Sequence, residues 1–174
     1  MMQMLEKAGL EIYTDTKREA DNHNPKGYYE HDNVKALVRD KKWLPDAVGK
    51  TVKVVAPLLY QLPPRFNYKV IFMERDIGEV IMSQQKMLAK GNPKKENIYP
   101  VGLEQAFKKY YAQLDLWTQN NTNAEVLRVP YTEVIANPEK WSDEINQFLG
   151  GILAVEEMVM VVDPELHRTK LNTV

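Results

Sequence analysis

The sequence predicts an α/β fold, a parallel sheet flanked by helices. Three observations predict it. Tyr68 to Glu74 reads Tyr-Lys-Val-Ile-Phe-Met-Glu, nearly continuous in apolar character, as a strand buried on both faces of a parallel sheet must be. A helical period follows at once from Ile77 to Lys90, with Ile77, Val80, Ile81, Met87 and Leu88 on one face. Strand-like and helical segments alternate along the rest of the chain, which argues against a sandwich or a bundle. Ligands of such sheets sit at the carboxyl ends of strands, so the residues just past Val55, Glu74 and Val129 carry the most interest.

Taken in order, Met1 to Ala8 is helical and Gly9 is a fitting stop. Leu10 to Tyr13 is extended. Thr14 to Lys26 is polar and holds Asn22, His23, Asn24 and Pro25, the composition of a long surface loop. A helix is expected over Asn33 to Arg39, and a strand over Thr51 to Ala56 that Pro57 closes. Leu58 to Leu62 is a helical turn cut off by Pro63 and Pro64. Asp76 and Glu79 have the spacing of a capping box at the head of the helix from Ile77. Val101 to Gln119 is the next helix, with Leu103, Phe107, Tyr110, Leu114 and Trp117 as its core stripe. Glu125 to Val129 is a third strand. Pro138 opens a helix that ends at Gly150 and turns Trp141, Ile145, Phe148 and Leu149 inward. Ala154 to Val162 closes the pattern as a helix or an extended segment.

Composition bounds the function. At 174 residues the chain is read as a single domain, residues 1–174, able to bury a substantial core. Its 23 basic and 24 acidic residues leave a net charge of −1, which argues against a general grip on nucleic acid or an anionic membrane. There is no cysteine, so disulfides, thiolate metal sites and a cysteine nucleophile are excluded. No apolar run approaches the roughly 20 residues of a membrane span, and no signal pattern opens the chain. A soluble, cytoplasmic protein is the expectation. His23, His31 and His167 lack ligand spacing, so no metal site is expected.

Two constellations can carry chemistry. Arg75 stands at the end of the strand Tyr68 to Glu74, and Ser83 lies two turns into the next helix. A strand-to-helix turn can bring a forked guanidinium and a hydroxyl onto one phosphate. The plainer alternative is a surface arginine paired with Asp76 and a serine at a polar helix position. The second constellation is Glu30 with His31, either of which is a candidate proton acceptor. The plainer role for Glu30 is to start a helix and favour its positive end. Trp43 has the chemistry to stack on a purine, but packing is the plainer role.

The segment Tyr68 to Met87, with Arg75 and Ser83, resembles the 3′-phosphate-binding segment of sulfotransferases that use 3′-phosphoadenosine 5′-phosphosulfate. Ile77 departs from that segment's usual proline. Asn24 to Glu30 is similar to the family's loop after its first helix. Val129-Pro130-Tyr131 through Asn137-Pro138 to Gly150, and Asp163 to Arg168, resemble its later strand, helix and tail. The likeness is nearest to bacterial-type members. It implies a nucleotide-kinase-like fold with a phosphate loop, and sulfuryl transfer from 3′-phosphoadenosine 5′-phosphosulfate to a hydroxyl on a small-molecule or glycan acceptor.

Carried onto this sequence, the likeness makes Arg75 and Ser83 ligands of the 3′-phosphate. Lys53 matches a strand lysine of the family and is a candidate to stabilise charge on the bridging oxygen of the leaving group; the plainer role is that of a strand-end lysine. The histidine two positions later in cytosolic members is Val55 here; other branches use a glutamate at the end of a segment that resembles Pro25 to Glu30, so the likeness makes Glu30 the candidate base, with His31 second. Arg168 and Lys170 are candidates to close over the 3′-phosphate, though a solvated tail is the plainer reading, and Asp15 to Lys26 with Gly91 to Pro100 are candidates to shape the acceptor pocket. The family's glycine-rich loop, which holds the 5′-phosphosulfate, has no counterpart in this sequence. The expectation is a domain lacking its N-terminal strand and loop, inactive as an isolated chain and prone to pair with itself through open strand edges. The alternative is a non-catalytic nucleotide-binding or interaction protein of the same fold. A phosphoryl-transfer enzyme would need a phosphate-loop lysine and magnesium carboxylates, and neither is found.

Overall fold

The computed structural model describes residues 1–15, 27–89 and 102–167, without the side chains of residues 84, 86–89 and 166. Its helices are α1 (Met2–Lys7), α2 (Asp32–Lys35), α3 (Ala56–Leu59), α4 (Ile77–Ala89), α5 (Leu103–Asn120), α6 (Tyr131–Ala136), α7 (Pro138–Leu149) and α8 (Val155–Met160). Its strands are β1 (Tyr68–Glu74) and β2 (Ala124–Pro130), and single 3₁₀ turns cover Leu44–Ala47 and Pro164–Leu166.

β1 and β2 pair in parallel, in register from Tyr68 opposite Ala124 to Glu74 opposite Pro130. Side chains alternate across this two-stranded sheet and sort its surroundings into two layers. Ile71, Met73, Leu127 and Val129 face one core with Met4 and Leu5 of α1, Trp141 and Ile145 of α7, and Met158 of α8. Tyr68, Val70, Phe72 and Val126 face the other, with Leu59 of α3 and Leu114 and Trp117 of α5. Apolar residues of both strands pack on both faces of the sheet, as their sequences require, while Lys69 and Glu125 stay exposed. A third cluster gathers Val34, Leu37, Trp43, Leu44 and Ala47 with partly buried Tyr13, Val52 and Val54.

Two expected elements differ. Thr51 to Ala56 is not a strand. Thr51 makes one parallel bridge with Ile12, with Tyr13 N donating to Thr51 O and Thr51 N to Glu11 O, each at 2.8 Å. Beyond it the backbone meets no ladder partner among the described residues, and Ala56 already belongs to α3. Val52 and Val54 alternate because they pack into the third cluster, not because they lie in a sheet. The helix expected over Asn33 to Arg39 is the single turn α2, which buries only Val34 and is followed by Leu37 as the next inward residue. Val38, Arg39 and Asp40 are exposed, so nothing holds further turns together.

The remaining helices follow their signals. Asp76 Oδ1 caps α4 by accepting from Glu79 N at 3.1 Å. Pro138 begins α7, and Gly150 ends it at φ +110°. A Cβ at Gly150 would meet nothing within 4 Å, so the cost of Gly150→Ala is conformational alone. It is expected at about 1–2 kcal/mol, read as a melting-temperature drop of several degrees; an unchanged melt would show that the backbone there relaxes freely. No helix among the described residues is long and apolar enough to cross a membrane.

Candidate functional site

The parallel register decides where Arg75 sits. Glu74 lies opposite Pro130, so the residues that follow, Arg75 and Tyr131, leave the sheet side by side at its carboxyl edge. The Arg75 guanidinium packs 4.8 Å from the centre of the Tyr131 ring, a cation–π contact. Its Nε donates to Glu79 Oε2 at 3.3 Å. Its carbonyl accepts from the Tyr111 hydroxyl at 3.2 Å. The carboxylate partner of Arg75 is therefore Glu79 rather than Asp76, whose side chain is engaged in capping α4. The terminal Nη groups of Arg75 have no acceptor among the described residues. Burial raises the Tyr131 phenol, against the opposing charge of Arg75.

Ser83 lies half-buried two turns into α4, and no hydrogen bond joins it to Arg75 among the described residues. Glu79 is 5% exposed and also receives His167, whose Nε2 lies 2.9 and 3.0 Å from its two oxygens. His167 meets Tyr131 edge-on at 5.5 Å. Sequence reasoning saw Glu79 only as a cap partner, although its i+4 spacing from Arg75 is an ion-pair signal. The contact with His167 joins residues 88 positions apart and leaves no local signal.

A second cluster surrounds Glu30. Tyr29, just before it, has a left-handed φ of +53°, uncommon for a bulky residue. Its hydroxyl donates to Glu6 Oε2 at 2.7 Å. Burial, with that bond and the Glu6 charge, pushes the phenol up to about 12, so it stays a donor at any ordinary pH. The Glu30 carbonyl accepts from Thr14 Oγ1 at 2.9 Å. Pinned in this way, Glu30 lines a cavity of about 90 Å³ with His31, Val34, Lys35, Lys53, Val55 and Leu58, room for a few waters or a small alcohol. Lys53 Nζ lies 3.8 Å from Glu30 Oε1 and Lys35 Nζ 3.6 Å from Oε2. Lys53 also donates to the Tyr28 carbonyl at 2.7 Å. The structure thus brings Glu30, His31, Lys53 and Val55 around one cavity.

His31 is occupied differently. It is the N-cap of α2, its Nδ1 accepting from Asn33 N at 3.1 Å. A neutral ring that accepts at Nδ1 carries its proton on Nε2 and has no acceptor left. Its ring stacks on Tyr13 at 4.4 Å, and Tyr13 stacks on Trp43 at 5.3 Å. Trp43, 6% exposed, is a packing residue. Arg168, Lys170, residues 16–26 and residues 90–101 lie outside the described residues. No group of three or more His, Asp or Glu side chains among the described residues is arranged to hold a metal ion.

The sequence model of the sulfotransferase family matches residues 29–153, more than half of the chain. The chain belongs to the sulfotransferase family. The matched span of this sulfotransferase-family domain holds Glu30, Lys53, Arg75, Glu79 and Tyr131, while Glu6, Thr14 and His167 lie outside it. Comparison with curated proteins and with solved structures gives no match.

Proposed function

We propose that this domain serves sulfuryl transfer from 3′-phosphoadenosine 5′-phosphosulfate to an acceptor hydroxyl, with Arg75 as the ligand of the nucleotide's 3′-phosphate. The observation that carries the reading is the state of Arg75. It stands at the carboxyl end of β1, fixed at Nε by Glu79 and along its face by Tyr131, with its two Nη groups left to form a bidentate contact to a phosphate. Ser83 adds a hydroxyl from the same helix. The nucleotide supplies the activated sulfuryl group.

Glu30 takes the acceptor's proton as the acceptor oxygen bonds to sulfur and the bond from sulfur to the 5′-phosphate oxygen breaks, releasing 3′,5′-bisphosphoadenosine. Two features of the cavity support Glu30 over His31. Val55 supplies no base, and His31 has its acceptor nitrogen engaged by Asn33. Lys53, beside Glu30, places an ammonium where it can offset negative charge on the leaving oxygen.

Calorimetric titration tests the reading. The chain should bind 3′,5′-bisphosphoadenosine in preference to adenosine 5′-phosphate and to ATP. Arg75→Ala should weaken the bisphosphate about tenfold or more, the loss of a charge-assisted contact of roughly 1.5–3 kcal/mol, with the melting temperature little changed. Equal affinity of the two proteins for the bisphosphate would sink the assignment.

A further inference from the structure

We infer that Glu79 is the positioning residue for Arg75, and that His167 shares the role by holding Glu79 in place; the inference rests on the reading of Arg75 as the 3′-phosphate ligand. A carboxylate only 5% exposed needs partners for both oxygens. Glu79 finds them in two places far apart in sequence. Oε2 accepts from Arg75 Nε, and His167 Nε2 lies within 3.0 Å of both oxygens. Tyr131 closes the arrangement by touching both partners, the Arg75 guanidinium with its face and the His167 ring edge-on.

An arginine is a long, freely rotating side chain, and ordering it on binding weakens a phosphate contact. Here that ordering precedes the ligand. Glu79 engages the guanidinium at Nε, and Tyr131 covers its face. The edge formed by the two Nη groups remains for a phosphate. His167 then acts on the phosphate site through Glu79.

A neighbouring carboxylate also has an opposite effect. By charge alone, Glu79 repels a phosphate, and its neutralisation should tighten binding. The sign of the mutational effect therefore separates positioning from mere charge balance. With the whole 174-residue chain, 3′,5′-bisphosphoadenosine and adenosine 5′-phosphate are titrated into wild type, Glu79→Gln, His167→Gln and Arg75→Ala. Glu79→Gln is expected to weaken the bisphosphate about tenfold and to leave the monophosphate within about twofold. His167→Gln should act in the same direction with a smaller effect. Bisphosphate affinity in Glu79→Gln equal to wild type, or tighter, overturns the inference. If Arg75→Ala leaves the bisphosphate unchanged, the phosphate assignment of Arg75 is what fails.

A measurement without nucleotide judges the positioning itself and does not require the variants to fold. In the ligand-free chain the Arg75 Nε–H signal in a ¹H–¹⁵N spectrum should exchange with water slowly, unlike exposed arginines. Exchange as fast as theirs overturns the inference even where the Gln variants prove too unstable to titrate.

Discussion

Glu30→Gln is expected to lower sulfate transfer by ~10²–10⁴-fold, the usual contribution of a positioned general base. The measurement is turnover of the sulfate donor, with the wild-type protein as reference. The substitution keeps the shape of the side chain and removes only its ability to take a proton. Affinity for 3′,5′-bisphosphoadenosine should stay close to wild type, because Glu30 lines the cavity with Lys35 and Lys53 while Arg75 makes its contacts with Glu79 and Tyr131. His31→Gln serves as the comparison. With its Nδ1 engaged as the cap of α2, its loss should lower stability more than rate. Turnover in Glu30→Gln within about threefold of wild type would move the base elsewhere, and a large fall in His31→Gln would name it.

Ile145→Ala should unfold the domain more readily than any surface change. Ile145 is fully buried in the core that joins α1, β2, α7 and α8. Deleting its outer carbons removes apolar contact and leaves a cavity among Met4, Val129 and Met158, for a cost of about 2–5 kcal/mol. For a domain of this size that lowers the melting temperature by roughly 5–20 °C. Ile152→Ala is the control, since Ile152 is 83% exposed and its truncation should stay within about 0.5 kcal/mol. Equal melting of Ile145→Ala and wild type would mean that this core repacks without a void.

The elements that could be read from sequence were those whose signal is local. β1 runs from Tyr68 to Glu74 as expected, because a strand packed on both faces shows a nearly continuous apolar run, here broken only by exposed Lys69 and ended by charge. α7 begins at Pro138 and ends before Gly150, because both residues fix backbone conformation in place. Thr51 to Ala56 carries a strand pattern without forming one, because Val52 and Val54 alternate in the same way whether they face a sheet or a loop-lined core. The cavity at Glu30 was half legible. The residue type was visible, but the pairing with Lys35 and Lys53 depends on how the chain folds over itself. Glu79 and His167 mark where sequence reading stops, since their contact spans 88 positions and has no period to reveal it.

The register of the sheet also has a kinetic consequence. β1 and β2 are neighbours in space, yet cross-strand partners such as Lys69 and Glu125 are 56 positions apart. A ladder of that kind forms only after the intervening chain has closed a long loop, and such closures slow folding. α4 and α5 lie inside that loop and can form before it shuts. Arg75 and Tyr131 are brought together by the same event, since each directly follows its strand. A folding intermediate that has gained its helices but not its ladder would hold Arg75 without Tyr131, and the proposed phosphate site would arise with the ladder rather than with the first helices.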